Sequence, residues 1–321
     1  MGKNRKVWLW IAAGLVLLGC IIWGGVMSVL KWDFKRLSTV NYETNQHEIQ
    51  ENYQNIAVIT DTADITFAVS EDGKHRVSCH EQENAIHSVG VKDGELLIEL
   101  VDNRKWYEYI GIGFDTPKIT LYLPQGEYSK LSIKSSTGDV AIPKDFVFER
   151  IDISESTGDV TVLSSVSEAL KIKTTTGSIR VENISAGMLE LSVSTGKVTV
   201  SDVNCEGDIT VNVSTGKAKI NDVNCHNLIS NGNTGDISLE NAIVKEMLSV
   251  ARTTGDVTLD GCDAAQIRIQ TDTGDVKGTL RSEKVFFAET DTGKIDIPHT
   301  DTGGRCEIST DTGDIKIRIS H

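Results

Sequence analysis

The chain has 321 residues and a formal net charge of −14, from 32 Lys and Arg against 46 Asp and Glu. This acidic balance argues against a nucleic-acid partner, because phosphates require a basic surface. Four prolines, 28 glycines and many Val, Ile and Thr residues are typical of an all-β protein with frequent turns.

The N-terminal segment predicts a membrane anchor. Residues 7–30 contain no charged side chain and are long enough, as an α-helix, to cross a bilayer. The basic residues within 1–6 favour a cytoplasmic tail. We therefore expect a single-pass protein that contacts the lipid bilayer through 7–30 and holds its C-terminal domain outside the cytoplasm.

Two alternatives to a retained anchor arise from the same segment. A cleaved signal peptide would have a shorter apolar region and an A-x-A-like site, which is missing here. The stretch Leu17-Leu18-Gly19-Cys20 resembles a bacterial lipoprotein box, in which Cys20 would carry the lipid. The apolar run continues through Trp23, however, where a mature lipoprotein usually turns polar.

Residues 31–52 are polar and predict a juxtamembrane linker. Residues 53–130 alternate apolar and polar side chains without a fixed period, and two Asp-Gly pairs, at Gly73 and Gly94, are typical of hairpins. We interpret this region as an antiparallel β cap, because a terminal repeat must shield the core. Thr62-Ala63 has the position of a degenerate first repeat turn.

The cap contains an aromatic cluster formed by Trp106, Tyr107 and Tyr109. One interpretation is that these side chains are buried in the cap. The other is that they face solvent and bind a ligand, since an exposed aromatic cluster can stack on sugar rings.

Residues 131–321 form a repeat in which a Thr-Gly pair recurs ten times at intervals of 19 or 20 residues. A fixed period of this size predicts a solenoid. Apolar residues alternate on both sides of each pair, so each repeat is interpreted as a strand, a tight turn, a second strand and a looser corner. The predicted structural turn residues are Thr137, Gly138, Thr157, Gly158, Thr176, Gly177, Thr195, Gly196, Thr215, Gly216, Thr234, Gly235, Thr254, Gly255, Thr273, Gly274, Thr292, Gly293, Thr312 and Gly313.

The fold class that follows is all-β, a parallel β-solenoid of about ten 19–20-residue rungs, with an N-terminal antiparallel β cap and one N-terminal transmembrane helix. Stacking in register would place the turn threonines about 4.8 Å apart, near enough for their hydroxyls to hydrogen-bond. The strand of Ile315, Ile317 and Ile319 is expected to be the exposed edge of the stack.

An acidic column follows the turn glycines. Asp236, Asp256 and Asp275 occupy this position in consecutive repeats, and Asp272 adds a second column. Hard oxygen ligands suit calcium, so these four residues are a candidate calcium site. No calcium-binding motif is present, and a solvated acidic face is the alternative; no cofactor is indicated.

Cysteine and enzyme motifs add little. Cys205 and Cys225 occupy equivalent positions one repeat apart, which suits either a disulfide or two stacked side chains. The cysteine spacings match no zinc pattern. The Asp-Thr-Gly triplets are a version of the repeat turn, and no catalytic residue is predicted.

The basic N-terminus, single span, irregular β region and repeats of Ser/Thr-Thr-Gly-Asp-Val-x-Val resemble the bacterial putative-adhesin β-strand-repeat family. The resemblance implies an envelope domain of unknown function, in some cases beside stress-response regulators, and it brings no catalytic residues. We therefore expect a non-catalytic, membrane-anchored, extracytoplasmic binding or scaffolding module with an envelope protein or glycan as partner. The alternatives are a carbohydrate-active β-helix enzyme and a self-associating structural spacer.

Overall fold

In the computed structural model, the described residues are 3–33, 36, 38–110, 113 and 115–320, without the side chains of 3–6 and 110. The charged side chains expected in the tail 1–6 therefore lie outside the description. The one α-helix among these residues is α1, Lys3–Val29. Its segment Val7–Val29 is long and apolar enough to cross a membrane, a test that a signal sequence also passes.

The β-strands follow in chain order. They are β1 Tyr42–Ile49, β2 Asn55–Ile59, β3 Asp64–Val69, β4 His75–Gln82, β5 Ala85–Lys92, β6 Glu95–Asp102, β7 Lys118–Leu123, β8 Gly126–Thr137, β9 Val140–Ile142, β10 Phe146–Thr157, β11 Val160–Val162, β12 Ser165–Ala186, β13 Leu189–Cys205, β14 Ile209–Cys225, β15 Leu228–Thr234, β16 Ile237–Thr254, β17 Val257–Thr273, β18 Val276–Leu280, β19 Lys284–Thr292, β20 Ile295–Asp296, β21 Gly304–Thr312 and β22 Ile315–Ile319.

The N-terminal region combines antiparallel strands with the first rung of the solenoid. Strands β1, β4, β5, β6 and β7 supply the antiparallel pairs β1–β4, β4–β5, β4–β7 and β5–β6. Strands β2 and β3 instead pair in parallel with β8 and β9, and Thr62 bridges to Thr137. Thr62-Ala63 is thus the first turn of the stack.

The expected linker 31–52 needs a correction. Strand β1 lies inside it and pairs along its whole length with β4. The polar sequence did not predict this strand, because β1 buries only Ile49 at its end and leaves its other side chains partly or fully exposed.

The rest of the chain is a parallel β-solenoid whose core is a column of stacked aliphatic side chains. Strands β12, β13 and β14 pair residue for residue, with Leu170, Leu189 and Ile209 above one another. The alternation seen in the sequence is the alternation of burial in every long strand. One continuous apolar core therefore runs from the cap to the last rungs.

The repeat turns align as predicted. Thr137 pairs with Thr157, Thr157 with Thr176, and the register continues to Thr273. Hydrogen bonds between the threonine hydroxyls are absent among these ten described residues, so the expected hydroxyl column does not form. Instead, the glycine N–H of one rung donates to the threonine carbonyl of the next, as Gly235 does to Thr254 (2.8 Å).

A second corner uses a left-handed backbone in four consecutive rungs. Asn183, Asp202, Asp222 and Asn241 occupy equivalent places and have φ between 51° and 55°. Asn and Asp are the non-glycine residues that tolerate this conformation best. This corner is the looser one that the sequence predicts in each repeat.

The last two rungs are stacked in reverse chain order. Strand β21 pairs with β17 on one side and with β19 on the other, and β22 lies between β18 and β20. The expectation that β22 is the edge strand is therefore wrong. Its isoleucines Ile315 and Ile317 are fully buried, whereas Ile295 of β20 is exposed.

Shape explains which rung is outermost. The aliphatic rung β21–β22 continues the core column, with Cys306 and Ile308 also buried. The rung β19–β20 carries Phe286 and Phe287, which match no other repeat, and a terminal repeat need fit a neighbour on one side only.

Inward positions next to the turn include two buried charged residues. The Arg252 guanidinium occupies space left by the missing side chain of Gly232 and donates to the Val213 carbonyl (3.2 Å) and to Ser230 Oγ (3.1 Å).

Glu155 is 4% exposed, and neither carboxylate oxygen has a hydrogen-bond partner among the described residues. Burial, together with the carboxylates of Asp139, Asp159 and Asp64, raises the pKa of Glu155 to about 8.

All five cysteines after α1 are buried, and Cys205 and Cys225 are free, so the disulfide alternative is not seen. The two thiols pack as small side chains in one corner of adjacent rungs.

The Thr-Gly turn should not tolerate a side chain. Gly235 has φ 120°, and a Cβ there would lie 2.0 Å from the carbonyl oxygen of Gly216. We expect Gly235→Ala to lower the free energy of unfolding by more than about 2 kcal/mol, since strain and a backbone clash combine. Denaturant unfolding measures this. Gly126→Ala, where the new Cβ meets open space, is the control, and equal stability of the two variants would contradict the prediction.

Glu155 should make stability depend on pH. Its folded pKa is raised, so between about pH 4.5 and pH 8 the unfolded chain ionises this carboxyl while the folded protein keeps it protonated. This contribution to stability is therefore lost progressively as the pH rises through that window. We expect the melting temperature of Glu155→Gln to exceed that of the wild type by an amount that grows from pH 4 to pH 8. The exposed Glu149→Gln is the control, and a pH-independent difference would be inconsistent with the assignment.

Candidate functional site

The acidic column is a hydrogen-bonded ladder. The backbone N–H of Asp256 donates to Asp236 Oδ1 (3.3 Å), and that of Asp275 donates to Asp256 Oδ1 (2.9 Å). The ladder continues through Asp314, which accepts from the N–H of Lys294 (2.9 Å). The repeated aspartates thus have a structural reason that requires no calcium.

Cations already lie beside this ladder. Lys217 Nζ lies 3.0 Å from Asp236, and Lys277 Nζ lies 2.6 Å from Asp275. Hydrogen bonds from these lysines are the largest cause of the lowered pKa of both aspartates. Asp272 is exposed on the strand before the turn. The calcium hypothesis for these four residues remains a prediction.

The aromatic cluster of the cap faces solvent. Trp106 is 78% exposed, Tyr107 50% and Tyr109 59%, so the interpretation of buried cap residues is wrong. Trp106 and Tyr107 meet edge to face with ring centroids 5.9 Å apart. They lie in the connection after β6, which includes a 3-10 turn at Glu108–Ile110.

Asp102 holds this connection in shape. Its carboxylate accepts hydrogen bonds from the backbone N–H of Arg104 (2.9 Å), the Arg104 guanidinium (2.6 Å) and the Tyr109 hydroxyl (2.8 Å). These bonds, led by the one from the Arg104 side chain, lower the pKa of Asp102 well below its usual range. Arg104 also lies over the Tyr109 ring at 4.5 Å. These contacts join the two ends of the segment that carries the exposed rings.

A cleft of about 310 Å³ opens beside the loop. Its lining is rich in amide and carboxylate groups, with Tyr107 as the aromatic wall and Arg104 at its inner end. Polar groups next to an exposed ring are the combination that binds sugars, since a sugar offers hydroxyls at its rim and C–H groups on its faces. The polar lining residues are Thr39, Asn41, Gln82, Glu83, Asn84 and Glu108.

A second cleft, of about 250 Å³, shares Gln82 and Arg104 with the first. Its wall includes Glu81 and His87, which form a buried pair with Glu81 Oε2 and His87 Nδ1 2.6 Å apart. No sequence motif singled out this pair. The available signal was the alternation of β4 and β5, which points an acid and a histidine toward the interior.

A protein-family model described as Toastrack DUF4097 matches residues 53–212 and 204–321. No curated protein matches the chain significantly.

Solved structures similar to the chain include three that match most of its length. A putative adhesin from Bacteroides fragilis is 14% identical, with a TM-score of 0.45, and the match covers 87% of this chain and 97% of that one. A putative lipid binding protein from Parabacteroides distasonis is 16% identical, with a TM-score of 0.48 and coverage of 88% and 98%. A putative adhesin from the same species is 11% identical, with a TM-score of 0.49 and coverage of 87% and 98%.

Proposed function

The chain belongs to the Toastrack DUF4097 family, and we propose that it is a membrane-anchored, extracytoplasmic module that binds an envelope glycan without catalysis. The exposed aromatic loop beside a polar cleft is the observation that carries this proposal.

The anchor in this proposal is the apolar helix. Its segment Val7–Val29 would cross the bilayer, the tail 1–6 would stay in the cytoplasm, and residues 30–41 would link the helix to β1. Thr39 and Asn41 line the aromatic cleft, so the cleft lies a few residues after the helix. An extended chain covers about 3.3 Å per residue, which would keep the loop within about 40 Å of the membrane surface. A glycan layer next to the membrane would therefore be within its reach.

Trp106 and Tyr107 are the proposed contacts for the sugar rings, and the amides and carboxylates of the cleft would accept and donate hydrogen bonds to hydroxyls. Aromatic rings provide contact area at small entropic cost, because they have only two side-chain torsions. A groove of about 340 Å³ also lies on the solenoid face around Ile172, but an exposed aromatic ring, that of Tyr107, lines the first cleft of the cap. A polar cleft beside an exposed aromatic ring suits the binding of a sugar without a chemical reaction.

Topology can be tested on intact cells. We expect protease added outside to degrade the solenoid while an epitope at the N-terminus remains protected, because only the tail before 7–30 would lie inside. Immunoblotting measures both ends, with lysed cells as control. A solenoid protected until lysis would refute the extracytoplasmic placement.

Glycan binding can be tested by co-sedimentation of the detergent-solubilised chain with purified peptidoglycan. We expect Trp106→Ala to weaken binding about tenfold, the loss of one stacking contact. Phe287→Ala is the matched control, because Phe287 is another exposed aromatic residue (51%), placed in the terminal rung at the far end of the solenoid. Equal losses for both variants, or no binding by the wild type, would count against the proposal.

A further inference from the structure

A buried cluster of three potential metal ligands lies behind the second cleft. Cys79 and Glu81 stand two residues apart on β4, and His87 lies on β5. One ligand atom from each residue lies within 4.8 Å of the other two, and all three side chains are buried. This is the one such group of three among the residues that the structure describes.

Hydrogen bonds hold two of the three ligands in place. Asn45 Nδ2 donates to Glu81 Oε1 (2.9 Å), and the His87 backbone N–H donates to Glu81 Oε2 (2.7 Å). The Thr60 hydroxyl lies 2.9 Å from His87 Nε2. Thr60 can accept a hydrogen bond from Nε2–H, the tautomer in which the Nδ1 lone pair would bind a cation in place of its present contact with Glu81 Oε2. Outer partners of this kind orient metal-binding imidazoles and carboxylates in known sites.

The Cys79 thiol is the one ligand of the three that makes no hydrogen bond with the described residues. Its sulfur has no hydrogen-bond partner among the described side chains and backbone groups, as is also true of Cys225 and Cys306, whereas Cys205 and Cys262 donate to carbonyls. Burial and the nearby Glu81 carboxylate raise the pKa of the Cys79 thiol to about 12. The thiol is thus protonated when no cation is present.

We propose that Cys79, Glu81 and His87 bind a zinc ion through Sγ, a carboxylate oxygen and Nδ1. Zinc takes sulfur, nitrogen and oxygen ligands in tetrahedral sites, and calcium and magnesium prefer oxygen alone. Water would occupy the fourth position from the cleft that Glu81 and His87 line.

The charges of such a centre balance. One thiolate, one carboxylate and one neutral imidazole around Zn²⁺ carry no net charge, so burying the complex avoids the cost of an isolated charge. The thiol proton, and any proton on Nδ1, would leave to solvent as the ion enters. Zinc affinity should therefore increase with pH. Strand β4 pairs with β1 and β7, and β5 pairs with β6 and, through Ala85, with Gln82 of β4, so the backbone keeps the spacing of the ligands without the metal.

The test uses the full chain in detergent, stripped with a chelator and then loaded with Zn²⁺ or Co²⁺. We expect one zinc per chain by elemental analysis after gel filtration, and a cobalt spectrum with a thiolate charge-transfer band. Cys79→Ala should lose about 100-fold or more in zinc affinity and all of that band, and Thr60→Val should lose about tenfold. Cys306→Ala is the matched control, since Cys306 is equally buried but stands apart from the cluster.

A thermal melt separates this site from the acidic ladder. Zn²⁺ should raise the melting temperature of the wild type and of Cys306→Ala but not that of Cys79→Ala, whereas Ca²⁺ at the same concentration should affect all three proteins equally. Retention of zinc by a folded Cys79→Ala, a cobalt spectrum without the thiolate band, or no zinc uptake by the wild type would overturn the proposal.

Discussion

Adjacent rungs pack too closely at the Thr-Gly turn to admit a side chain, and the rest of the solenoid depends on this contact. At each turn glycine from Gly138 to Gly313, a Cβ would lie between 1.7 and 2.2 Å from a carbonyl oxygen of the neighbouring rung. Only glycine fits, so one position in every rung fixes the register. Strand side chains alternate with period two, and a slip of one residue would expose every core residue. The turn therefore determines which residues are buried along the whole stack.

The sequence predicted those parts of the fold that repeat. The spacing of Thr-Gly pairs and the alternation around them were sufficient for the parallel solenoid, the turn column and the first turn at Thr62-Ala63. Strand β1 escaped because its pattern is polar. The reversed order of the last rungs was not predicted, because the spacing of Gly293 and Gly313 is regular. A regular spacing does not show which rung lies next to which. Phe286 and Phe287 distinguish this rung from the other repeats, but only the strand pairing shows that it is the terminal one.

The sequence displayed some of the candidate site residues and not the contacts that they make. The aspartates after the turn were visible as a column, but their partner is a backbone N–H, which no sequence pattern displays. The aromatic loop was visible, and its exposure depends on the packing of residues around Asp102. The cluster of Cys79, Glu81 and His87 follows no metal-binding spacing, because two strands and a turn bring it together. Alternation alone indicates that these three side chains point inward.

The reversed order of the final rungs has a consequence for how the protein forms during synthesis. Strands β19 and β20 have their native strand partners only in β21 and β22, which are made after them. When residues 284–296 first emerge, the place beside β17 and β18 is still empty, and it belongs to the segment 304–319. Strands β19 and β20 must either stay away from β17 and β18 or leave them again when β21 and β22 are made. The stack therefore cannot be completed by adding rungs in chain order. The segment 304–319 therefore enters between two rungs that are both synthesised before it.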